Sequence, residues 1–179
     1  MSSDRDALDT RAYRRTIGLF ATGVTVVATG QGESIHAMTA NAITSLSLDP
    51  MLLIICVHKK ARLAIHMREG QGFSINILRR QQRDLSTYFA GGWQEEEPPP
   101  SFEFVPWQGG PRLRYCAAAI GCEKDQMVEG GDHWIVIGKV VALHTGREPI
   151  DPLVFYRGRY RELATQPEYE IPAVWDFAW

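Results

Sequence analysis

The spacing of apolar and polar positions changes several times along the chain, and each spacing predicts an element. Residues 10–20 set Ala12, Tyr13, Ile17, Leu19 and Phe20 among basic residues. That is the pattern of a short helix which Asp9 or Thr10 caps and Gly23 ends. Residues 24–29 (VTVVAT) are mostly β-branched and read as a first strand; 30–33 form a hairpin turn and 34–39 return as a second. Residues 51–57 (MLLIICV) are apolar without alternation and predict a strand covered on both faces. Residues 61–68 predict a helix carrying Leu63, Ile65 and Met67, residues 73–78 (FSINIL) a strand, and residues 81–90 a helix with Leu85, Tyr88 and Phe89 inward. Further strands are predicted at 113–124 and 133–144, with a turn at 130–132 between them. A hairpin follows, with strands at 153–156 and 160–163 around Arg157-Gly158-Arg159.

Residues 91–112 break the pattern: Gly, Pro and Glu dominate and two Trp interrupt them, which predicts a long loop over the surface or a partner subunit. Neither side of this loop makes a convincing separate core, so residues 1–165 are read as one domain and 166–179 as a C-terminal extension. The total is about seven strands, mostly antiparallel, and two or three short helices. The expected class is mostly β with short helices, in a closed or nearly closed barrel that removes exposed edges.

The segment at 36–57 (HAMTANAITSLSLDPMLLIICV) carries the first chemical signal. A hydroxyl-rich, nearly uncharged run passes through Asp49-Pro50 into an apolar strand. Small uncharged polar residues suit a buried, backbone-lined bed for a polar but flat ligand, fixed to a rigid sheet. The same composition also suits an ordinary Ser/Thr loop leading into a strand.

Composition narrows the classes. With 19 basic and 21 acidic residues in 179, the formal net charge is −2, which gives no reason to expect a nucleic-acid partner. No run of 18 apolar residues predicts a membrane span, and the charged N-terminal segment does not read as a secretion signal, so a cytoplasmic location is expected. Three cysteines without CxxC spacing point to reduced thiols, and the five scattered histidines form no metal-ligand spacing, so no metal is expected. Neither a Rossmann GxGxxG nor a P-loop is present.

An ordered set of segments resembles the flavin reductase-like family, whose fold is a flavin-binding split β-barrel. The set runs FATGVTVV (20–27), MTAN (38–41), TSLSLDP (44–50), FSINIL (73–78), Gln82, Phe89-Ala90, GPRL (110–113), Cys122, GDH (131–133), GKV (138–140), and Pro152-Leu153 through Tyr160. The resemblance covers about residues 12–163. It implies a homodimer that reduces FMN, or alternatively FAD, with NADH or NADPH and passes reduced flavin to a flavin-dependent monooxygenase. Other readings of the same fold are a flavin carrier, a reductase of ferric or other acceptors, and an assembly subunit with an empty barrel.

The resemblance also implies site residues. Thr39, Ala40, Asn41, Thr44, Ser45 and Ser47 become the flavin bed, where small residues and backbone amides meet the ring. Lys59, Lys60 and Arg62, at the end of a strand and the start of a helix, form a candidate phosphate clamp. Here the chain departs from the family's usual Ser and Thr, since Ala61 and Leu63 carry no hydroxyl; a solvated basic turn is the alternative. Asn76 and Gln82 match positions near the flavin, although Asn76 in an apolar strand equally suits a neighbouring backbone group. His133 is the candidate catalytic and nicotinamide-binding residue, either orienting NAD(P)H or supplying a proton, with Asp132 holding the turn. Arg159 and Tyr160, with Arg157, suit dinucleotide phosphates and a base, or are hairpin surface. Trp175, Phe177 and Trp179 predict a docked extension over the barrel, the second subunit or the nicotinamide groove.

Overall fold

The computed structural model describes residues 9–70, 72–94, 96–147 and 149–163; the aromatic extension at 166–179 lies outside them. In chain order the elements begin with α1 (Thr10–Ile17), β1 (Thr22–Gly23), β2 (Thr25–Thr29), β3 (His36–Ala40), β4 (Ile43–Leu48) and β5 (Met51–His58). Next come α2 (Arg62–Glu69), β6 (Gly72–Ile77), α3 (Arg83–Phe89), β7 (Phe104–Val105) and β8 (Arg112–Leu113). β9 (Ala118–Gly130), β10 (His133–Thr145), β11 (Val154–Tyr156) and β12 (Arg159–Arg161) complete the set.

Seven strands form one antiparallel sheet in the order β3-β2-β6-β9-β10-β5-β4. Laid flat, its edges β3 and β4 would stand about 29 Å apart at about 4.8 Å per strand. Only Asn41 and Ala42 separate those edges in sequence, a connection that spans at most about 11 Å. The sheet therefore curls until its edges nearly meet, giving a barrel split along the β3–β4 seam. β1, β11 and β12 form a separate three-stranded sheet, and β7 pairs with β8.

Two apolar clusters hold this shape. The inner one joins Val27, Leu53, Ile55, Val57, Phe73, Ile75, Cys122 and Val136 to the buried face of α2, Leu63, Ala64 and Met67. The second joins Val24, Val26, Leu78, Leu85, Leu113, Cys116, Ala119 and Leu153, with Phe155 and Tyr160 packed against it. Val26 and Val27 belong to different clusters, so every residue of β2 is buried and the run VTVVAT needs no alternation.

The structure corrects several expectations. α1 ends at Gly18, not Gly23, and buries no residue. β5, not continuous in its burial, alternates: Leu53, Ile55 and Val57 are buried while Leu52, Ile54 and Cys56 are half-covered on the opposite face. The hydroxyl-rich run is itself largely the edge strand β4. Ile65 faces solvent, because a helix packed on one side covers only one stripe. The strand expected at 113–124 breaks at residues 114–117, where Tyr115 turns outward. Within the Gly/Pro-rich segment, residues 108–110 lie flat on β6 and β9. Gly109 has φ +86°, and a Cβ there would strike the Cys122 amide nitrogen.

Candidate functional site

β5 organises the site. At one edge its Ile55 pairs with Ile43 of β4, and its Cys56 N–H donates to the Ala42 carbonyl at 3.0 Å. Two residues further on, about 7 Å along the strand, His58 pairs with His133 at the start of β10. The turn between β3 and β4 therefore sits beside the β9–β10 turn, at one end of the barrel.

The β3–β4 corner is uncharged and open. Asn41, Ala42, Thr44 and Ser45 are exposed, against the expectation of a buried bed, because β4 has no strand on its outer side. Leu46 is the extra residue of a bulge between Ser45 and Ser47, whose partners on β5 are consecutive. Asn41 Nδ2 donates to Thr22 Oγ1 at 3.1 Å, and Thr44 Oγ1 to the Ser45 carbonyl at 3.2 Å. A cis Asp49-Pro50 bond closes the β4–β5 turn.

The opposite wall is charged. His133 Nδ1 lies 2.7 Å from Asp132 Oδ1, so with that nitrogen protonated the carboxylate fixes the ring and leaves Nε2 outward. The hydrogen bond from His133 holds the Asp132 carboxyl below its usual range. His58 stands edge-on to His133 at 5.0 Å between centroids, with Nε2 4.0 Å from Asp132 Oδ2. The Lys60 amide donates to His58 Nδ1 at 3.1 Å, which assigns the His58 proton to Nε2, facing the carboxylate. Lys59 donates its amide to the Asp132 carbonyl at 2.9 Å. Its Nζ lies 3.3 Å from Glu129 Oε1 and 5.0 Å from the Trp134 ring centre. Lys59 is therefore partnered. Lys60 and Arg62 are exposed, without a carboxylate partner among the described residues, and Ala61 at the N-cap of α2 provides no side-chain cap.

The remaining sequence candidates lie elsewhere. Thr39 Oγ1 donates to the Ser86 carbonyl at 2.6 Å, and the Ser86 hydroxyl shares a 2.8 Å hydrogen bond with the Tyr160 hydroxyl, which ties β3, α3 and β12 together on the second cluster. Ala40 accepts from Thr25 Oγ1. Asn76 is fully buried: Nδ2 donates to the Val26 carbonyl and to Ser74 Oγ, each at 3.0 Å, and Oδ1 accepts from the Leu113 amide at 2.8 Å. Gln82 Oε1 accepts from the Arg79 amide at 2.9 Å. Arg159 is exposed on the hairpin. His58, Glu129 and Trp134 were absent from the sequence reading; the signal that would have found them is the pairing of His58 with His133 across β5 and β10. A cleft of about 970 Å³, bounded by Thr29, Gly72, Trp107 and Glu123, opens near the other end and contains none of these residues. Glu123 pairs with Lys139, six residues and about 20 Å along β10 from His133.

Residues 17–164 match the flavin reductase like domain family. The chain belongs to this family. It is 35% identical over 156 residues to the NADH-dependent FMN reductase AsuE2 of Streptomyces nodosus subsp. asukaensis, covering 84% of this chain and 83% of that one. It is 37% identical over 153 residues to the 4-hydroxyphenylacetate 3-monooxygenase reductase component of Thermus thermophilus, covering 85% and 95%. The NADH:FAD oxidoreductase SgcE6 of Streptomyces globisporus, solved in complex with NAD and FAD fragments, superposes with TM-score 0.79 at 32% identity, over 89% of this chain and 96% of that one. The split-barrel fold expected from the flavin reductase resemblance is the fold found.

The β3–β4 corner fits a flavin. The ring's edge needs in-plane hydrogen-bonding partners, and its faces need flat neighbours without bulk. Asn41, Thr44 and Ser45 supply uncharged polar groups, Ala40 and Ala42 leave the backbone approachable, and the outer edge of β4 is open. The chemistry of the adjacent rim suits the rest of the molecule, with Lys60, Arg62 and the uncapped first turn of α2 on hand for an anion.

Proposed function

We propose that this protein is an NAD(P)H:flavin oxidoreductase that reduces FMN by preference, or FAD, and supplies it to a flavin-dependent monooxygenase. The observation that carries this reading is the placement by β5 of an uncharged corner, Asn41 to Ser45, beside the Asp132–His133–His58 rim. The reading is also supported by family membership and by relatives named as NADH-dependent reductases and as a monooxygenase reductase component.

Bound flavin supplies a two-electron acceptor for hydride at its N5 position. Asn41, Thr44, Ser45 and Ser47, with the backbone of Ala40, hold and orient the ring; Thr39, bonded to Ser86, fixes the strand that carries them. Lys60 and Arg62 take the phosphate with the first-turn amides of α2, while Lys59 braces the β9–β10 turn through Glu129 and Trp134. His133, aligned by ionised Asp132, orients the nicotinamide and holds a proton-bearing or proton-accepting Nε2 at the rim. Asn76 and Gln82 act on the scaffold through their backbone partners, and Arg159 and Tyr160 act at the periphery.

The protein works as a homodimer. The β4–β5 hairpin presents Leu46, Leu48 and Met51 at 46–61% exposure next to the open corner, so a second copy there would cover both apolar surface and ligand. The three free thiols, and the lack among the described residues of a helix long and apolar enough to cross a membrane, accord with a cytoplasmic setting.

Purified protein mixed with NADH and FMN is expected to consume the reduced-nicotinamide absorbance. No oxidation with either nucleotide and either flavin overturns the reductase reading; bound flavin that NAD(P)H does not reduce identifies a carrier instead.

A further inference from the structure

α1 places Arg11, Arg14 and Arg15 at positions i, i+3 and i+4, one face of the helix. Arg157, at the tip of the β11–β12 hairpin, faces them across an open cleft of about 600 Å³ that Thr10 and Gly158 also line. None of the four has a carboxylate partner among the described residues. Elsewhere Arg80 pairs with Asp151 and Glu162, Arg114 pairs with Glu103, and Arg79 donates to the carbonyls of Arg147 and Pro149.

Two features oppose local stability here. Arg11 sits in the first turn of α1, where a cation opposes the helix dipole, and like charges four residues apart repel. Arg157 has φ +53° in a two-residue turn with Gly158 at φ +73°, a conformation that favours Asn or Gly over arginine. The arrangement is nevertheless held, since the Arg157 amide donates to the Gly18 carbonyl at 2.8 Å. It is also tethered to the candidate site: Gly18 precedes Thr22 by four residues, about 14 Å at most, and Thr22 Oγ1 accepts from Asn41.

We propose that this cleft is a diphosphate subsite, which takes the pyrophosphate bridge of the nicotinamide substrate, NADH or NADPH. The subsite extends the flavin reductase reading and rests on it. Its size falls in the range of small-ligand pockets, and guanidinium groups match phosphate oxygens in bidentate geometry. The flavin phosphate, and with it the bridge of FAD, stays at the α2 end of the barrel, so neither flavin needs the arginine cleft.

The test compares the full chain with its Arg11→Gln/Arg14→Gln variant. Calorimetry with inorganic pyrophosphate is run beside steady-state KM measurements for NADH, NADPH, FAD and FMN. Pyrophosphate binding is expected to disappear in the variant. The KM for NADH and NADPH rises tenfold or more at unchanged kcat, while the KM values for FAD and FMN move less than twofold. Arg157→Asn, which keeps a turn-compatible residue, gives the same pattern should the helix variant fail to fold. Pyrophosphate that does not bind the wild type, or binds both proteins alike, overturns the subsite, as do unchanged KM values for NADH and NADPH. A wild type without turnover counts against the reductase reading, and the pyrophosphate titration then still decides the cleft.

Discussion

Asn76→Ala tests whether a buried polar residue in an apolar strand serves the scaffold or the ligand. Asn76 sits at 0% exposure and pins β8 to β6 and β2 through three hydrogen bonds: to the Val26 carbonyl, to Ser74 Oγ and from the Leu113 amide. Ser74 Oγ passes the chain on to the Pro111 carbonyl, so the residues around β8 depend on this network. Truncation removes two bonds at about 1 kcal/mol each and leaves the Leu113 N–H buried and unpaired at about 1–3 kcal/mol, a loss of roughly 3–5 kcal/mol. For a chain of 179 residues, at about 2–4 °C per kcal/mol, the midpoint should fall by at least about 6 °C. The assay is thermal unfolding at fixed protein concentration without flavin, paired with the KM for FMN measured well below the new midpoint. The expected result is a large drop in Tm with a KM changed less than threefold. A Tm within about 2 °C of wild type, together with a raised KM, would refute the scaffold assignment and return Asn76 to the ligand site.

Three further outcomes are expected. His133→Ala lowers kcat for NADH oxidation by roughly 100-fold, and Asp132→Asn by roughly 10-fold, with both variants folded by circular dichroism; equal rates in all three proteins would remove this rim from the chemistry. His36, stacked on His66 at 3.4 Å, has its pKa lowered first by burial and then by the nearby charges of His66 and Arg62. The unfolded chain therefore takes up this proton before the folded one, and stability falls as pH drops through about 6.5. Thermal midpoints between pH 7.5 and 5.5 should fall less in His36→Phe, which keeps a stacking ring, than in wild type; parallel curves would exclude His36 as a source. Gly109→Ala is expected to cost about 3 kcal/mol or more in urea unfolding, since the new methyl meets backbone at φ +86°, and a neutral result would contradict the packing of residues 108–110 on β6 and β9.

The split between what sequence and structure each decided follows the range of the interactions involved. β2, β6, the β9–β10 turn and the Arg157-Gly158 hairpin were legible because β-branched runs and turn residues act on their own backbone. The ordered set of segments from Phe20 to Tyr160 likewise carried the family, and with it the barrel. The sequence could not tell that β5 is covered unevenly, because an apolar residue reads alike whether a second layer covers it or not. Nor could it tell that Asn41 to Ser45 face solvent, which depends on β4 being the last strand of the sheet. Asn76, Gln82 and Thr39 carry polar groups that any partner can satisfy, and only the folded chain assigns those partners to backbone groups. The rim of His58, Asp132 and His133 joins residues more than 70 positions apart, a proximity created by strand register and by nothing local to either segment.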